Sequence, residues 1–294
     1  MNNIPIFYDR CKFKGTFQFG LWYRNEVYQC PHETHGSEYC LLHTPDNELT
    51  LEEEGEKKKI IRQIIEEEKD KPIVLVGVEF DGDLFQVKKA YQNSVQVIAC
   101  CIRGDLKFAQ HIFAKDINFN RSKIGGNASF SESEIGGYAN FSSSEIGGNA
   151  DFSSSEIGGY ANFSSSEIGG YADFRSSEIG GSADFSSSKI GGYADFSSSK
   201  IGGYASFRSS EIGGYAYFSS SKIGGGANFS SSEIGGNADF SESEIGGSAN
   251  FRSSEIGGNA DFRSSEIGGS ANFSSSEIGR NAYFRNIKIK QDLV

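Results

Sequence analysis

Cys11, Cys30, Cys40 and His43 are the residues best suited to chemistry in this chain. Thiolate and imidazole are the ligands of tetrahedral structural zinc, and a set of three Cys and one His is one of its standard forms. Cys40 and His43 are separated by two residues, the spacing of a tight turn. The 18 residues between Cys11 and Cys30 exceed common zinc-finger spacings. His32 or His35 could replace one ligand, and free thiols with solvated histidines are the alternative. A segment with little core of its own gains folding free energy from such a metal. Four protein ligands leave no open coordination position, so this zinc would be structural. The remaining cysteines, Cys100 and Cys101, are adjacent, and strand alternation turns Cys100 inward as an inert thiol and Cys101 outward.

Catalytic constellations are not indicated elsewhere. Glu or Lys precedes every Ile of a long repeat, and Asp precedes many of its Phe residues. Such carboxylates form rows along a surface, whereas glycosidase-like chemistry needs a pair flanking a cleft. Serine is abundant, yet His111 is the one histidine near the repeat, so no Ser-His pairing is suggested. The Gly-Gly pairs do not make the Gly-x-Gly-x-x-Gly loop that cradles phosphates. No enzymatic activity is expected.

The elements that must carry these residues follow from one period. Phe recurs every 11 residues from Phe119 to Phe284, and Ile does so from Ile124 to Ile289. Ala keeps the same step from Ala128 to Ala282, and Ser from Ser122 to Ser276. Helical apolar positions would return every three or four residues. Here they come as small-x-large triplets, the mark of short strands with one face inward. Gly-Gly after each Ile from Ile124 to Ile267 predicts a sharp corner with positive φ, and Arg280 replaces the second Gly after Ile278. The residue before Phe alternates between Asp (Asp151, Asp173, Asp195, Asp239, Asp261) and Asn (Asn140, Asn162, Asn228, Asn250, Asn272), with Asp184, Ser129, Ser206, Tyr217 and Tyr283 breaking the pattern. That alternation predicts a coil of about 22 residues, and recent duplication of a 22-residue segment would leave the same trace.

Ala139-Asn140-Phe141-Ser142-Ser143 followed by Ser144-Glu145-Ile146-Gly147-Gly148 resembles the pentapeptide-repeat family, whose unit is Ala-Asp/Asn-Leu/Phe-x-x. The resemblance implies a right-handed quadrilateral β-helix, mainly β, with four units per coil. One departure is systematic: every second unit has six residues. Tyr39-Cys40-Leu41-Leu42-His43 is also similar to the Tyr-Cys-x-x-His ending of zinc-binding heads that precede some such arrays.

Four regions are expected: a Cys/His head over 1–45, a helical linker or cap over 46–71, degenerate first coils over 72–116 and the regular β-helix over 117–292. Thr50 with Glu53 reads as a capping box, and Ile60, Ile61, Ile64 and Ile65 as one apolar helix face. That helix suits a cap on the first coil better than a dimerisation helix. Phe113, Phe108, Ile102 and Val97 continue the rhythm backward.

A net charge of −11 disfavours direct nucleic-acid binding and binding to acidic membranes. Five cysteines, an odd number, together with a start unlike a signal peptide, suit a reducing, cytoplasmic setting. The regular rod without a pocket points to a non-catalytic scaffold for a protein partner, with a homodimer through a solenoid end as a further expectation. An alternative rests on family members that mimic DNA and bind type II topoisomerases such as DNA gyrase. The Asp row fits it, while Lys189, Lys200, Lys222, Arg175, Arg208, Arg252 and Arg263 interrupt the charge. A third reading is an ice- or surface-binding solenoid, disfavoured by the Glu/Lys rows.

Overall fold

Backbone N–H and C=O groups must find partners, and a two-residue strand cannot supply them from within. In this chain each short strand is satisfied by its counterparts one coil away. The computed structural model describes residues 14–18, 25–29, 41–43, 48–67, 71–87 and 89–294. Strands pair in parallel with a register of 22 residues, as in Ile117↔Ala139 and Ala139↔Ala161. The N–H groups of Ala139 and Phe141 donate forward to Tyr160 and Asn162 at 2.9 and 2.7 Å. Those of Glu145 and Gly147 donate back to Ser122 and Ile124 at 2.9 and 2.8 Å. Each coil is therefore bonded to both neighbours. Repetition builds four parallel sheets of 10, 10, 9 and 10 strands, a β-solenoid of about 22 residues per turn.

The four sides carry different residues. One sheet, through Ala139–Asn140, is called here the Asn face, and that through Ala150–Asp151 the Asp face. Those through Glu145–Ile146 and Glu134–Ile135 are the two Glu faces. Phe and Ile point inward, and from Phe119 to Ile267 none exceeds 1% exposure. Each coil contributes two Phe. Within a column the rings stack in parallel, Phe152 on Phe174 at 4.9 Å and 3°. Between columns they meet edge to face, Phe163 on Phe174 at 5.7 Å and 87°. Both geometries are favourable for ring quadrupoles, by about 0.5–1.5 kcal/mol per pair beyond the area buried.

The corners correct one expectation. Positive φ does not fall on the Gly-Gly pairs. It falls on the second residue after each Phe, as in Ser143 at 56° and Ser187 at 56°. The carbonyl of Phe141 accepts the N–H of Ser144 at 3.2 Å, which makes Ser143 the third residue of a turn that requires left-handed backbone. The Ser144 hydroxyl donates to the same carbonyl, and this inward Ser recurs in the same way at Ser155, Ser166 and Ser177. The glycines serve a different purpose, close approach. A Cβ on Gly180 would stand 2.3 Å from the carbonyl oxygen of Gly158 in the coil before.

The first coils bend the rule without breaking the register. Ile73–Val76 and Glu79–Asp81 begin two of the sheets, and a 3₁₀ turn over Gly82–Val87 stands one coil before Leu106–Lys107, where the nine-stranded sheet lacks a strand. Cys100 takes the inward small position, and burial pushes its thiol up to about 12. Helix α1 (Leu51–Glu66) opens with the Thr50–Glu53 capping box. Ile61 and Ile65 are fully buried and join the solenoid core, with Ile60 and Ile64 partly buried beside them. Lys58 ties the helix down, 2.8 Å from Glu54 and 3.0 Å from Asp81. Lys14–Gln18 and Asn25–Gln29 pair as an antiparallel hairpin. Among the described residues no helix is long and apolar enough to cross a membrane.

Phe174→Ala in the middle of the rod should cost about 3–5 kcal/mol in chemical denaturation, with Phe284→Ala at the partly buried end costing clearly less. The corners give a paired test by thermal unfolding. Gly180→Ala should destabilise by about 1–3 kcal/mol through the clash with Gly158. Ser187→Gly should be neutral or stabilising by up to about 1 kcal/mol, because glycine accepts the positive φ without strain.

Candidate interaction surfaces of the rod

Of the predicted metal ligands, Cys11, Cys30 and Cys40 lie outside the described residues. His43 ends a 3₁₀ turn, Leu41–His43, whose Leu42 is buried in the core. Its Nε2–H donates to the Val76 carbonyl at 2.7 Å. In the neutral ring this places the lone pair on Nδ1. A histidine that ligates a metal through one nitrogen commonly donates its other N–H to a carbonyl, so the arrangement fits a zinc ligand. Among the described residues no group of three or more His, Cys, Asp or Glu is placed to hold a metal.

The outer faces hold the remaining polar chemistry, and the 22-residue register decides what meets what. On the Glu faces Lys123 reaches Glu145 at 2.6 Å, Lys189 reaches Glu211 at 3.3 Å and Lys200 reaches Glu178 at 3.5 Å. These exposed pairs contribute little individually, about 0–1 kcal/mol each. They do convert an acidic row into one of mixed sign.

On the Asp face the carboxylates are more than solvated surface charge, a role the residue pattern did not disclose. Asp151 accepts the Ser153 N–H at 3.0 Å, and Asp173 accepts that of Arg175 at 3.0 Å. The same two-residue cap recurs with Asn on the Asn face, as in Asn162 with Ser164. Asp173 is only 2% exposed, and Arg175 grips it with Nε and Nη2 at 2.9 and 2.6 Å. Arg263 holds Asp261 likewise. Burial opposes ionisation of Asp261, but hydrogen bonds and charge from Arg263 prevail and lower its carboxyl below the ordinary value. The Asp-Phe-Arg triplet was the available sequence signal, since side chains two apart on a strand share a face.

Aromatic rows complete the surface. Tyr138 stacks on Tyr160 at 5.6 Å, and Tyr171 on Tyr193 at 4.7 Å and 3°. Tyr160, Tyr204 and Tyr215 remain 47%, 63% and 42% exposed, enough to offer ring faces to a partner. Surface depressions are open and modest, about 270 Å³ beside Lys222 and Glu244 and about 450 Å³ beside Arg208 and Arg252.

A depressed carboxyl stabilises the fold while ionised. Asp261 should therefore contribute fully above its unfolded value near 3.8 and lose that contribution as pH falls through its lower folded value. Asp261→Asn should flatten the acid limb of a stability-versus-pH curve followed by denaturant midpoint.

Residues 207–255 match the family model described as pentapeptide repeats (9 copies). No curated protein and no solved structure matches the chain. The matched stretch is therefore a run of pentapeptide repeats, and it lies inside an unbroken 11-residue pattern whose coil geometry continues in the coils on either side.

Proposed function

We propose that this protein is a non-catalytic scaffold, a β-helical rod whose outer faces bind a protein partner. The observation that carries the reading is the separation of roles. Apolar side chains fill the inside, while charged, amide and phenol groups stand outside in rows held at the strand spacing. Pentapeptide-repeat solenoid proteins are generally non-enzymatic structural or interaction proteins. Exposed tyrosines are the favoured contact residues, because they bring large area at low side-chain entropy. The interruption of the Glu rows by Lys123, Lys189, Lys200 and Lys222 supports a protein partner over mimicry of uniformly charged DNA.

Two parts of the proposal concern the ends of the rod. The head carries a structural zinc on Cys11, Cys30, Cys40 and His43, and the bond from His43 to Val76 would link that site to the first sheet strand. The last strands, Glu277–Ile278, Ala282–Tyr283 and Lys288–Ile289, are outermost in their sheets and offer backbone edges to a second copy. A reducing, cytoplasmic location belongs to the same reading.

The test uses the full chain as bait in native extract beside a Tyr160→Ser/Tyr204→Ser/Tyr215→Ser variant of unchanged circular dichroism. One partner retained by the native chain and lost by the variant is expected. No specific partner at high bait loading would count against the scaffold. Untagged protein should carry one zinc per chain, lost in Cys40→Ser. A metal-free native chain prepared without chelator under reducing conditions would remove the zinc head and leave the scaffold standing.

A further inference from the structure

Four arginines occupy the same place in the repeat, directly after a fully buried Phe, and a fifth, Arg285, follows the partly buried Phe284 in the last coil. Two of them, Arg175 and Arg263, lie on the Asp face and are neutralised by Asp173 and Asp261 two residues earlier. The other two, Arg208 and Arg252, lie on the Asn face, where the residues two earlier are Ser206 and Asn250. Among the described residues neither has an ion-pair partner, and both are exposed. Their sequence separation is two coils, so their backbones stand roughly 10 Å apart by the strand spacing. They flank one open depression of about 450 Å³ with Asn228, Asn250, Ser230 and Ser231 between them.

The lining is donor-rich. No carboxylate borders the depression, in a chain with 39 Asp and Glu. The amide oxygens of Asn228 and Asn250 already accept the N–H groups of Ser230 and Arg252 at 3.0 and 3.1 Å. Their amide NH₂ groups are thus the ends left to meet a ligand. Serine hydroxyls supply further donors. Two other depressions of the rod do include carboxylates: one is lined by Lys222 and Lys290 with Glu244 and Glu266, the other by Arg263 and Arg285 with Glu242. Neither combines two arginines with a lining free of carboxylates.

We propose that the Arg208–Arg252 depression is a binding site for a tetrahedral oxyanion of the phosphate class. Guanidinium groups present paired N–H donors that match such oxygens, and two of them balance a dianion. The Asn face provides this site because its capping residue is neutral. The neighbouring Glu233 and Glu255 rows oppose an anion, which makes the binding weak and sensitive to salt. The site is independent of the scaffold reading, since it requires no protein partner.

The test is calorimetric titration of the full chain with inorganic phosphate, and separately with O-phosphoserine, at low ionic strength in a phosphate-free buffer. Saturable 1:1 binding is expected. Arg208→Gln/Arg252→Gln should weaken it at least tenfold, and Lys189→Gln/Lys200→Gln, with the same change in net charge, should leave it within twofold. Stronger binding of phosphoserine would assign the site to a phosphate monoester, and stronger binding of phosphate to the free ion. Absence of saturation in the native chain would overturn the proposal. Equal weakening in the two double variants would do so as well, because overall charge would then explain the binding.

Discussion

Everything in this molecule is subordinate to the hydrogen bonding of one coil to the next at the spacing of a parallel sheet. Two-residue strands are too short to persist alone, and their N–H groups reach partners only when the chain returns to the same place after 22 residues. Once that return is enforced, all side chains at a given place form columns about 4.8 Å apart. The Phe rings can stack because 4.7–5.1 Å, the separations seen within the regular columns, nearly matches the strand spacing. A residue too large for its column, or a Cβ at the glycine corner, would push the coils apart and strain the ladder on four sheets together.

The same constraint governs the surface. A side chain on the rod has neighbours 22 residues before and after it and two residues along its own strand, so its chemistry is set by a small local lattice. Arg175 and Arg208 illustrate this. Both follow a core Phe, but one finds Asp173 two residues back and the other finds Ser206. One is paired with a buried carboxylate, while the other remains an exposed charge without an ion-pair partner among the described residues. The Asp and Asn rows act as equivalent caps toward the backbone and differ toward a ligand, because only the carboxylate can neutralise an arginine. Two faces with one backbone geometry thereby acquire different binding character.

The beginning of the rod shows how far the lattice tolerates irregular residues. Cys100 stands where the regular coils use Ser, and Tyr91 and Phe85 fill space that the later coils give to Phe and Ile. Tyr91 satisfies its own hydroxyl by donating to the Phe85 carbonyl at 2.8 Å. Helix α1 then covers this less regular end with Ile61 and Ile65, so the apolar column does not open to water there. At the opposite end Phe284 and Ile289 are only partly buried, because fewer coils lie against them.

The period of the coil, the inward columns of Phe and Ile, the parallel sheets and the capped helix were all legible in the residue pattern. They are properties of a one-dimensional repeat, and a 22-residue alternation of Asp and Asn already implies which units stack. The roles of the corner residues were not legible. A Gly-Gly pair signals both positive φ and close approach, and only the packed coils show that Gly180 is needed for the latter while Ser187 bears the former. Nor could spacing reveal that the outward Asp row is drawn back onto its own backbone, or that Arg208 and Arg252 share one depression without a carboxylate. Those outcomes depend on atoms brought together between coils and across a turn. The tertiary structure had to decide them, because period states which residues are equivalent and contact states what each equivalent residue meets.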